Sequence, residues 1–302
     1  MKQYTSLYFV GAGGIGMSAL VRYFLAKGYK VAGYDRTQSP LTTELKTEGL
    51  EIVYEESVES IPDYCRNPET TLVVYTPAIP ASHAGLVYFR EHGFRVVKRA
   101  ELLGLITQSS KGLCFAGTHG KTTTSSMAAH IFHESPIGCN AFLGGILRNY
   151  NSNLILSEQS PFTVIEADEY DRSFHWLHPY MAVVTATDPD HLDIYGTEEA
   201  YLESFAHFTS LIQPGGCLIM KKGIKLVPSV KENVKIYTYS ARDGGDFHAG
   251  NIRIGDGTIV FDFVMPEGSV ADIELGVPVE INIENAVAAM AIAWLNGVSG
   301  ND

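Results

Sequence analysis

Hydrophobic positions in the first hundred residues form short apolar runs that alternate with stretches of helical periodicity. The pattern predicts strands at residues 7–10, 30–34, 71–75 and 96–97, and helices at residues 17–27, 41–49, 84–92 and 99–106. Alternation of this kind is typical of a parallel sheet with helices on its faces. We therefore predict an α/β domain over residues 1–107.

A second alternating series follows a polar segment at residues 108–111. It contains predicted strands at 113–116, 163–167, 182–187 and 217–220, and predicted helices at 121–134, 197–212 and 282–296. Between residues 235 and 283 the pattern changes to short alternating runs with turn signals, such as Gly-Asp-Gly at 255–257. The sequence thus predicts a second α/β domain, residues 108–302, with a small β-rich section near its end.

The composition of the chain limits the classes of protein to which it can belong. The chain has 302 residues, of which 45% are hydrophobic, and a net charge of −12 without any cluster of basic residues. We therefore expect a globular protein that does not bind nucleic acid. No run approaches the roughly 20 apolar residues that span a bilayer, and no signal peptide precedes the first predicted strand. We expect a cytoplasmic protein whose four separated cysteines are reduced and packed: Cys65, Cys114, Cys139 and Cys217.

The first glycine-rich motif is Gly-Ala-Gly-Gly-Ile-Gly at residues 11–16, between the first predicted strand and the first predicted helix. Glycines there allow a tight turn whose N–H groups can approach a pyrophosphate at the helix N-terminus. Asp35 closes the second strand, where an acid can bond ribose hydroxyls. The motif predicts nucleotide binding but leaves open whether the ligand is NAD, FAD or a nucleotide sugar.

A second motif, Gly-Thr-His-Gly-Lys-Thr-Thr-Thr, occupies residues 117–124 between a predicted strand and a predicted helix. Its glycines expose N–H donors, Lys121 can reach the β- and γ-phosphates, and the Thr122 hydroxyl can hold Mg²⁺. Only two residues separate Gly117 from Gly120, so the motif departs from the standard P-loop spacing. Its position between strand and helix still predicts an ATP site.

Two acidic clusters follow the next two predicted strands, at residues 166–171 and 188–193. Ligands of open parallel sheets bind beyond the carboxyl ends of the strands, so both clusters are expected near the phosphate loop. Mg²⁺ takes only one or two protein carboxylates, so four or five of the seven acids are predicted to cap helices or lie in solvated turns. One ATP site beside a second nucleotide site indicates a transferase or ligase.

With these motifs the sequence resembles the Mur ligase family over nearly its whole length. The segments that carry the resemblance are 9–18, 98–103, 117–124, Glu-Ala-Asp-Glu at 166–169 and Asp-His-Leu-Asp at 190–193. The resemblance implies a Rossmann-like first domain that binds the UDP moiety and a central P-loop-type domain that binds ATP. Its implied UDP-substrate residues are Gly13, Gly14, Ile15, Gly16, Asp35, Thr76, Pro77, Ala78, Gly144 and Gly145, the last two in a glycine turn.

The resemblance also implies roles in the second domain. Its implied ATP-binding residues are Gly117, Thr118, His119, Gly120, Lys121, Thr122, Thr123, Asn282 and Asn285. Its implied catalytic residues are Lys121, Glu166 and His191. By the same resemblance Thr122 and Glu166 would hold one Mg²⁺ and His191 a second.

This sequence departs from the family pattern at three points. Residues 199–207 contain no lysine, so the carbamylated lysine of several Mur ligases is not expected. Ile281 stands where a histidine usually precedes Asn282. The family's C-terminal domain is absent from these 302 residues, so we expect this chain to bind the UDP substrate without ligation.

The resemblance implies that ATP activates the carboxylate of UDP-N-acetylmuramate as an acyl phosphate, which the amine of L-alanine then attacks. An alternative amine substrate is the tripeptide recycled from the cell wall, because the domain that separates the two activities is missing. An NAD-dependent oxidoreductase is a remote alternative that leaves Lys121 without a role. Oligomeric state stays open.

Overall fold

The computed structural model describes residues 3–300, which form two compact units. The first runs to Ile106 and also includes Gly144–Leu154; the second comprises Thr107–Leu143 and the chain from Ile155 onward. The boundary between the two units, after Ile106, lies next to the polar segment at residues 108–111. The inserted segment Gly144–Leu154 belongs to the first unit, whereas the sequence pattern assigned it to the second domain.

The first unit is built on one parallel sheet. Its strands are β1 (Ser6–Val10), β2 (Lys30–Tyr34), β3 (Glu51–Val53), β4 (Thr71–Tyr75) and β5 (Arg95–Lys98), and its helices are α1 (Ile15–Ala26), α2 (Pro40–Thr47), α3 (Ala84–Glu91) and α4 (Arg99–Thr107). The strand order is β3-β2-β1-β4-β5 and every pairing is parallel. The predicted α/β fold is confirmed, although the three-residue strand β3 was not predicted.

The second unit is built on a mixed sheet. Its strands are β6 (Lys111–Ala116), the first half of β7 (Asn140–Leu147), β9 (Phe162–Glu166), β10 (Pro179–Val184), β11 (Cys217–Lys221), β12 (Lys235–Ser240), β13 (Phe247–Gly255), β14 (Thr258–Met265) and β15 (Gly268–Glu274). The second half of β7, from Gly144 on, belongs to the first unit, and β8 (Ser152–Ile155) follows β7 in the chain. The order runs β15-β14-β13-β12-β11-β10-β6-β9-β7. The pairings from β13 through β7 are parallel, and the two hairpin pairings at the β15 edge are antiparallel.

Four helices accompany this sheet: α5 (Lys121–Glu134), α6 (Leu192–Tyr195), α7 (Glu198–Ser210) and α8 (Ile281–Leu295). Helix α8 is rich in alanine and nearly all of its middle section is buried, because small side chains allow close packing on both sides. Strand β14 alternates buried and half-exposed residues, as its period of two predicts. The β-rich section near the chain end is thus confirmed.

Two elements differ from their predictions. Gly144 and Gly145 lie inside strand β7, so the glycine turn that the resemblance implied at this place is wrong: the backbone there is extended. The strand predicted at 182–187 is β10 at Pro179–Val184. Thr185 has left that strand's regular pairing, and its N–H donates to the carbonyl of Ala116 at 3.0 Å.

The cysteine side chains are part of the packed interior. All four cysteines are buried, as predicted. Burial raises the pKa of the Cys65, Cys139 and Cys217 thiols to about 12, so they remain protonated at neutral pH. Within residues 3–300, no helix combines the length and apolar character needed to cross a membrane.

Candidate functional site

The first candidate site is the glycine turn between β1 and α1. Gly11 has a φ of +89°, and a Cβ there would lie 2.6 Å from Thr76 Cγ2. Gly14 caps α1 without any side-chain hydrogen bond to the helix. The first N–H groups of α1 therefore lack a side-chain cap, and such a helix N-terminus can receive an anion.

Asp35, at the end of β2, stabilises this turn directly. Its Oδ2 accepts the N–H of Gly13 at 2.7 Å, and its Oδ1 accepts the N–H of Thr37 at 3.0 Å. The acid predicted to bond a ribose is thus first a partner of the turn's backbone. A carboxylate can accept about four hydrogen bonds, so Asp35 retains acceptor capacity for a ligand.

A cavity of about 720 Å³ opens at the turn, lined by residues of the first unit only. Seven of its lining residues are Gly14, Gly16, Asp35, Thr76, Ala78, Gly144 and Arg99. Among the residues between 3 and 300, the predicted ligands Gly13, Ile15, Pro77 and Gly145 are not part of that lining. The cavity nevertheless brings together the glycine turn at residues 11–16, Asp35 and the segment 76–78.

Two arginines of this cavity were not predicted as site residues. Arg36 and Arg99 both line it, and a Cβ at Gly16 would lie 2.5 Å from Arg99 Nε. The guanidinium therefore packs against the glycine turn, where it adds positive charge to the helix N-terminus. The signal was available, since Arg99 lies in one of the segments that carry the family resemblance.

His83 forms another wall of the same cavity. It is only 6% exposed, its Nδ1 accepts the N–H of Leu86 at the start of α3, and its ring lies 4.5 Å from that of Tyr34. Burial lowers the pKa of His83 below its ordinary value. The ring is therefore neutral at pH 7 and serves as a helix cap.

The second candidate site is the loop between β6 and α5. Gly117 has a φ of +141°, and a Cβ there would lie 2.2 Å from Thr185 Oγ1 and 2.8 Å from the backbone N of Ala186. Gly120, with a φ of +85°, caps α5 without a side-chain hydrogen bond. Both glycines are required by this backbone, and the N-terminus of α5 also lacks a side-chain cap.

Side chains from neighbouring strands and helices hold the loop in place. Thr118 Oγ1 donates to the carbonyl of Asp188 at 2.7 Å and shares a hydrogen bond of 2.9 Å with the Tyr201 hydroxyl. Thr185 Oγ1 donates to the carbonyl of His119. Burial raises the pKa of Tyr201, so its hydroxyl stays neutral. Thr185 and Tyr201 were not predicted, because nothing in their local sequence distinguishes them from packing residues.

The two reactive side chains of the loop each contact a different carboxylate. Lys121 Nζ lies 2.7 Å from the Gly117 carbonyl oxygen, and 3.0 and 2.8 Å from the two carboxylate oxygens of Glu169. Thr122 Oγ1 donates to Glu166 Oε1 at 2.9 Å. The structure thus places Thr122 against Glu166, and it places Lys121 against Glu169, which is 2% exposed and was not predicted as a site residue.

His191 lies on the other side of Glu169. Its Nε2 is 4.0 Å from Glu169 Oε1 and 3.8 Å from Asp190 Oδ2, and its backbone φ is +52°. Within the described part of the chain, no group of three or more His, Cys, Asp or Glu side chains could hold a metal ion. A metal here would depend on Thr122 and Glu166, two hard oxygen ligands side by side, with phosphate and water supplying the rest.

Other acids of the two clusters have structural roles. Asp168 Oδ1 accepts the N–H of Tyr170 at 3.1 Å, and Asp190 Oδ1 accepts the N–H of His191 at 2.7 Å. Both carboxylates stabilise turns, the role predicted for most acids in these clusters. The clusters therefore supply fewer ligands than their charge suggests.

Asn285 reaches the phosphate loop from α8. It is 8% exposed, its Oδ1 accepts from Thr124 Oγ1 at 3.2 Å, and its Nδ2 donates to Asn282 Oδ1 at 3.1 Å. A Cβ at Gly120 would lie 3.0 Å from the same Oδ1. Asn285, one of the two asparagines predicted to bind ATP, thus packs directly on the loop, and Asn282 is its hydrogen-bond partner.

Two models of known protein families match this chain. A family model described as the Mur ligase middle domain matches residues 115–293, and one described as the Mur ligase family catalytic domain matches residues 6–111. The chain belongs to the Mur ligase family. This membership does not favour the oxidoreductase interpretation.

Two relatives are similar across nearly all of this Mur ligase chain. A protein of Parabacteroides distasonis named UDP-N-acetylmuramate–L-alanine ligase is 67% identical over 302 residues, 100% of this chain and 65% of the relative. A protein of the same name from Phocaeicola vulgatus is 65% identical over 297 residues, 98% of this chain and 65% of the relative. The chain therefore spans slightly less than two thirds of the length of these relatives.

Solved structures share the fold of this Mur ligase chain. One is UDP-N-acetylmuramate:L-alanyl-gamma-D-glutamyl-meso-diaminopimelate ligase of Neisseria meningitidis, with a TM-score of 0.83 at 21% identity over 98% of this chain and 95% of that one. Another is UDP-N-acetylmuramate-alanine ligase of Thermotoga maritima, with a TM-score of 0.77 at 24% identity over 97% and 65%. At these identities the likeness concerns the fold alone.

Proposed function

We propose that the full-length protein containing this chain joins L-alanine to UDP-N-acetylmuramate at the expense of ATP, in the cytoplasm, as a step of peptidoglycan precursor synthesis. The observation that carries the proposal is the loop of residues 117–124. Its Thr122 contacts Glu166 at the end of β9, and its Lys121 contacts Glu169 three residues later. The names of relatives at 65–67% identity support the choice of reaction and of L-alanine.

Phosphoryl transfer from ATP to the substrate carboxylate is the first chemical step of this proposal. The Lys121 ammonium offsets negative charge on the phosphates, and the N–H groups at the start of α5 bind phosphate oxygens. The amine of L-alanine then attacks the acyl phosphate, the new amide bond forms, and phosphate leaves. ADP is the other product, so one ATP is consumed for each amide bond.

Mg²⁺ fits the donor chemistry of the second site. Thr122 and Glu166 would hold one ion, because their oxygens lie 2.9 Å apart and are hard ligands. His191 is assigned to a second ion, with Asn282 and Asn285 towards the adenine. Bound Mg²⁺ would supply charge neutralisation for the transferring phosphoryl group.

The cavity of the first unit is assigned to the UDP moiety. The pyrophosphate would lie on the turn of residues 11–16, next to Arg99, because an uncapped helix N-terminus and a guanidinium both favour phosphate. Asp35 and the segment 76–78 would face the nucleoside. Gly144, in the extended strand β7, remains assigned to the sugar side of the substrate.

The test measures phosphate release by the full-length protein with UDP-N-acetylmuramate, L-alanine and ATP. Release is expected only with all three present, and release without the muramyl substrate would contradict the proposal. A second series replaces L-alanine with the tripeptide L-alanyl-γ-D-glutamyl-meso-diaminopimelate. Faster release with the tripeptide would replace the proposed amine substrate by that of the recycling ligase.

A further inference from the structure

Glu169 forms the most buried ionic contact of the second site. Its side chain is 2% exposed, and both carboxylate oxygens lie within 3.0 Å of Lys121 Nζ, whose own side chain is 14% exposed. Glu166, three residues earlier, contacts Thr122 instead. The two acids of the same segment therefore contact different residues of the phosphate loop.

We propose that Glu169 is a positioning residue that fixes the Lys121 ammonium for the γ-phosphate, an inference that rests on the proposed ATP-dependent function. A lysine ammonium has three N–H donors. The Gly117 carbonyl takes one at 2.7 Å and the Glu169 carboxylate takes another. One donor remains for a phosphate oxygen, and its direction is set by the other two.

The backbone carbonyl of Glu169 is also held by hydrogen bonds. Its carbonyl oxygen accepts the Tyr195 hydroxyl at 2.5 Å and the N–H of Arg172 at 3.0 Å. Asp171 and Arg172 both have left-handed backbone conformations, with φ of 50° and 55°. Such a strained pair persists only where its surroundings fix it, so the backbone that carries Glu169 has a defined position.

Burial explains why the contact persists when a nucleotide binds. A buried carboxylate that loses its cation is left as an uncompensated charge, which is costly. His191 Nε2, at 4.0 Å from Glu169 Oε1, is too far to replace Lys121 by a direct hydrogen bond. Lys121 therefore keeps Glu169 as a partner while its free donor engages the phosphate.

The experiment compares the binding of ADP and of β,γ-imido-ATP by calorimetry, with Mg²⁺, in the full-length protein. Glu169→Gln retains the size of the side chain and removes its charge. Because Lys121 is then less constrained, the preference for the triphosphate over the diphosphate is expected to fall about tenfold, the scale of one charge-assisted hydrogen bond. Affinity for UDP-N-acetylmuramate is expected to stay unchanged.

Asp168→Asn is the matched control, because it removes a neighbouring exposed carboxylate that only caps a turn. A double variant, Lys121→Met with Glu169→Gln, tests whether Glu169 acts through the lysine. Its nucleotide preference should equal that of Lys121→Met alone, since non-additivity marks residues that act as a unit. The double variant also leaves no buried charge unpaired, so it keeps the comparison open if a single variant unfolds.

An unchanged or increased preference for the triphosphate in Glu169→Gln would overturn the inference, because the carboxylate would then merely compete with phosphate for Lys121. A further loss in the double variant beyond that of Lys121→Met would overturn it too. The proposed ligation is tested separately by phosphate release. If release fails while the preference falls as expected, the positioning role stands and the proposed reaction does not.

Discussion

The turns at residues 11–16 and 117–124 have the same backbone design and different side chains. Each follows a central parallel strand, contains a glycine with positive φ, and starts a helix that lacks a side-chain cap. The first turn carries no ionisable side chain of its own, whereas the second carries Lys121. The comparison separates what is needed to bind a phosphate from what is needed to transfer one.

The residues that stabilise the two turns also differ, because one set contacts the backbone of its turn and the other contacts a side chain. In the first unit Asp35 fixes a backbone N–H of the turn, and Arg99 packs against Gly16. In the second unit the buried Glu169 contacts the side chain of Lys121 itself. Binding needs donors in roughly the right place, but phosphoryl transfer needs a cation in one place.

Removal of Lys121 should separate the two sites most strongly. In Lys121→Ala we expect phosphate release by the full-length protein to fall about 10³-fold or more, because the transferring phosphoryl group loses its cation. Affinity for UDP-N-acetylmuramate, measured by calorimetry, should stay within about twofold, because Lys121 is not among the residues that line the first-unit cavity.

The control for this variant is its stability. Lys121→Ala leaves Glu169 buried without its cation, which costs about 3–5 kcal/mol. Adding Glu169→Gln to Lys121→Ala should restore much of the melting temperature without restoring phosphate release. Equal losses of phosphate release and of UDP-substrate affinity would contradict the division into two sites.

Sequence patterns predicted the turns better than their supports. The strand before each turn and the helix after it follow from apolar periodicity, and Lys121, Thr122 and Glu166 follow from motif and spacing. Thr185 and Tyr201 hold the second loop through contacts between residues distant in sequence. Local patterns contain no information about such partners.

Strand β7 shows another limit of local reading. Two glycines in succession are common in turns, yet Gly144 and Gly145 lie in an extended strand. Strand β7 pairs with β9 through residues 140–142, and the strand continues through the two glycines. The contact of Glu169 could not be predicted either, because nothing in the local sequence distinguishes this residue from its acidic neighbours.

Equivalent glycine substitutions should break one site at a time. Gly117→Ala places a Cβ 2.2 Å from Thr185 Oγ1, and Gly11→Ala places one 2.6 Å from Thr76 Cγ2. Each is expected to lower stability by about 1–3 kcal/mol through overpacking and backbone strain. Calorimetry should show that Gly117→Ala weakens ATP binding and Gly11→Ala weakens binding of the UDP substrate.

Gly28→Ala provides the control for strain alone. Gly28 has a φ of +81°, and a Cβ there would meet nothing within 4 Å. This variant should therefore lose stability without altering either affinity. If Gly28→Ala impaired nucleotide binding as much as the two turn variants, the losses would reflect general destabilisation and the comparison would fail.

A smaller effect is expected from the carboxylate that supports the first turn. Asp35→Asn weakens the contact with the Gly13 N–H, and we expect UDP-substrate binding to weaken by about 1 kcal/mol, the usual net contribution of such a hydrogen bond. ATP affinity should not change. Asp63→Asn alters the charge of the first unit equally at an exposed side chain, so an equal effect there would indicate long-range charge as the cause.

The smallest effect concerns pH and the wall of the first cavity. Because burial lowers the pKa of His83, its neutral form stabilises the fold above the ordinary value of 6.5, and that stability is lost as pH falls through the lower pKa of the folded state. His83→Asn keeps an acceptor for the Leu86 N–H and removes the titrating ring. The difference in unfolding free energy between the wild type and this variant, measured in urea at about pH 7.5 and about pH 5, should shift against the wild type at the lower pH. His175, whose pKa burial also lowers, lies in the second unit and remains in both proteins, so its contribution cancels. A difference that is constant with pH would mean that His83 stays neutral or solvated in both states, and the first cavity would then lack the acid sensitivity inferred from its buried wall.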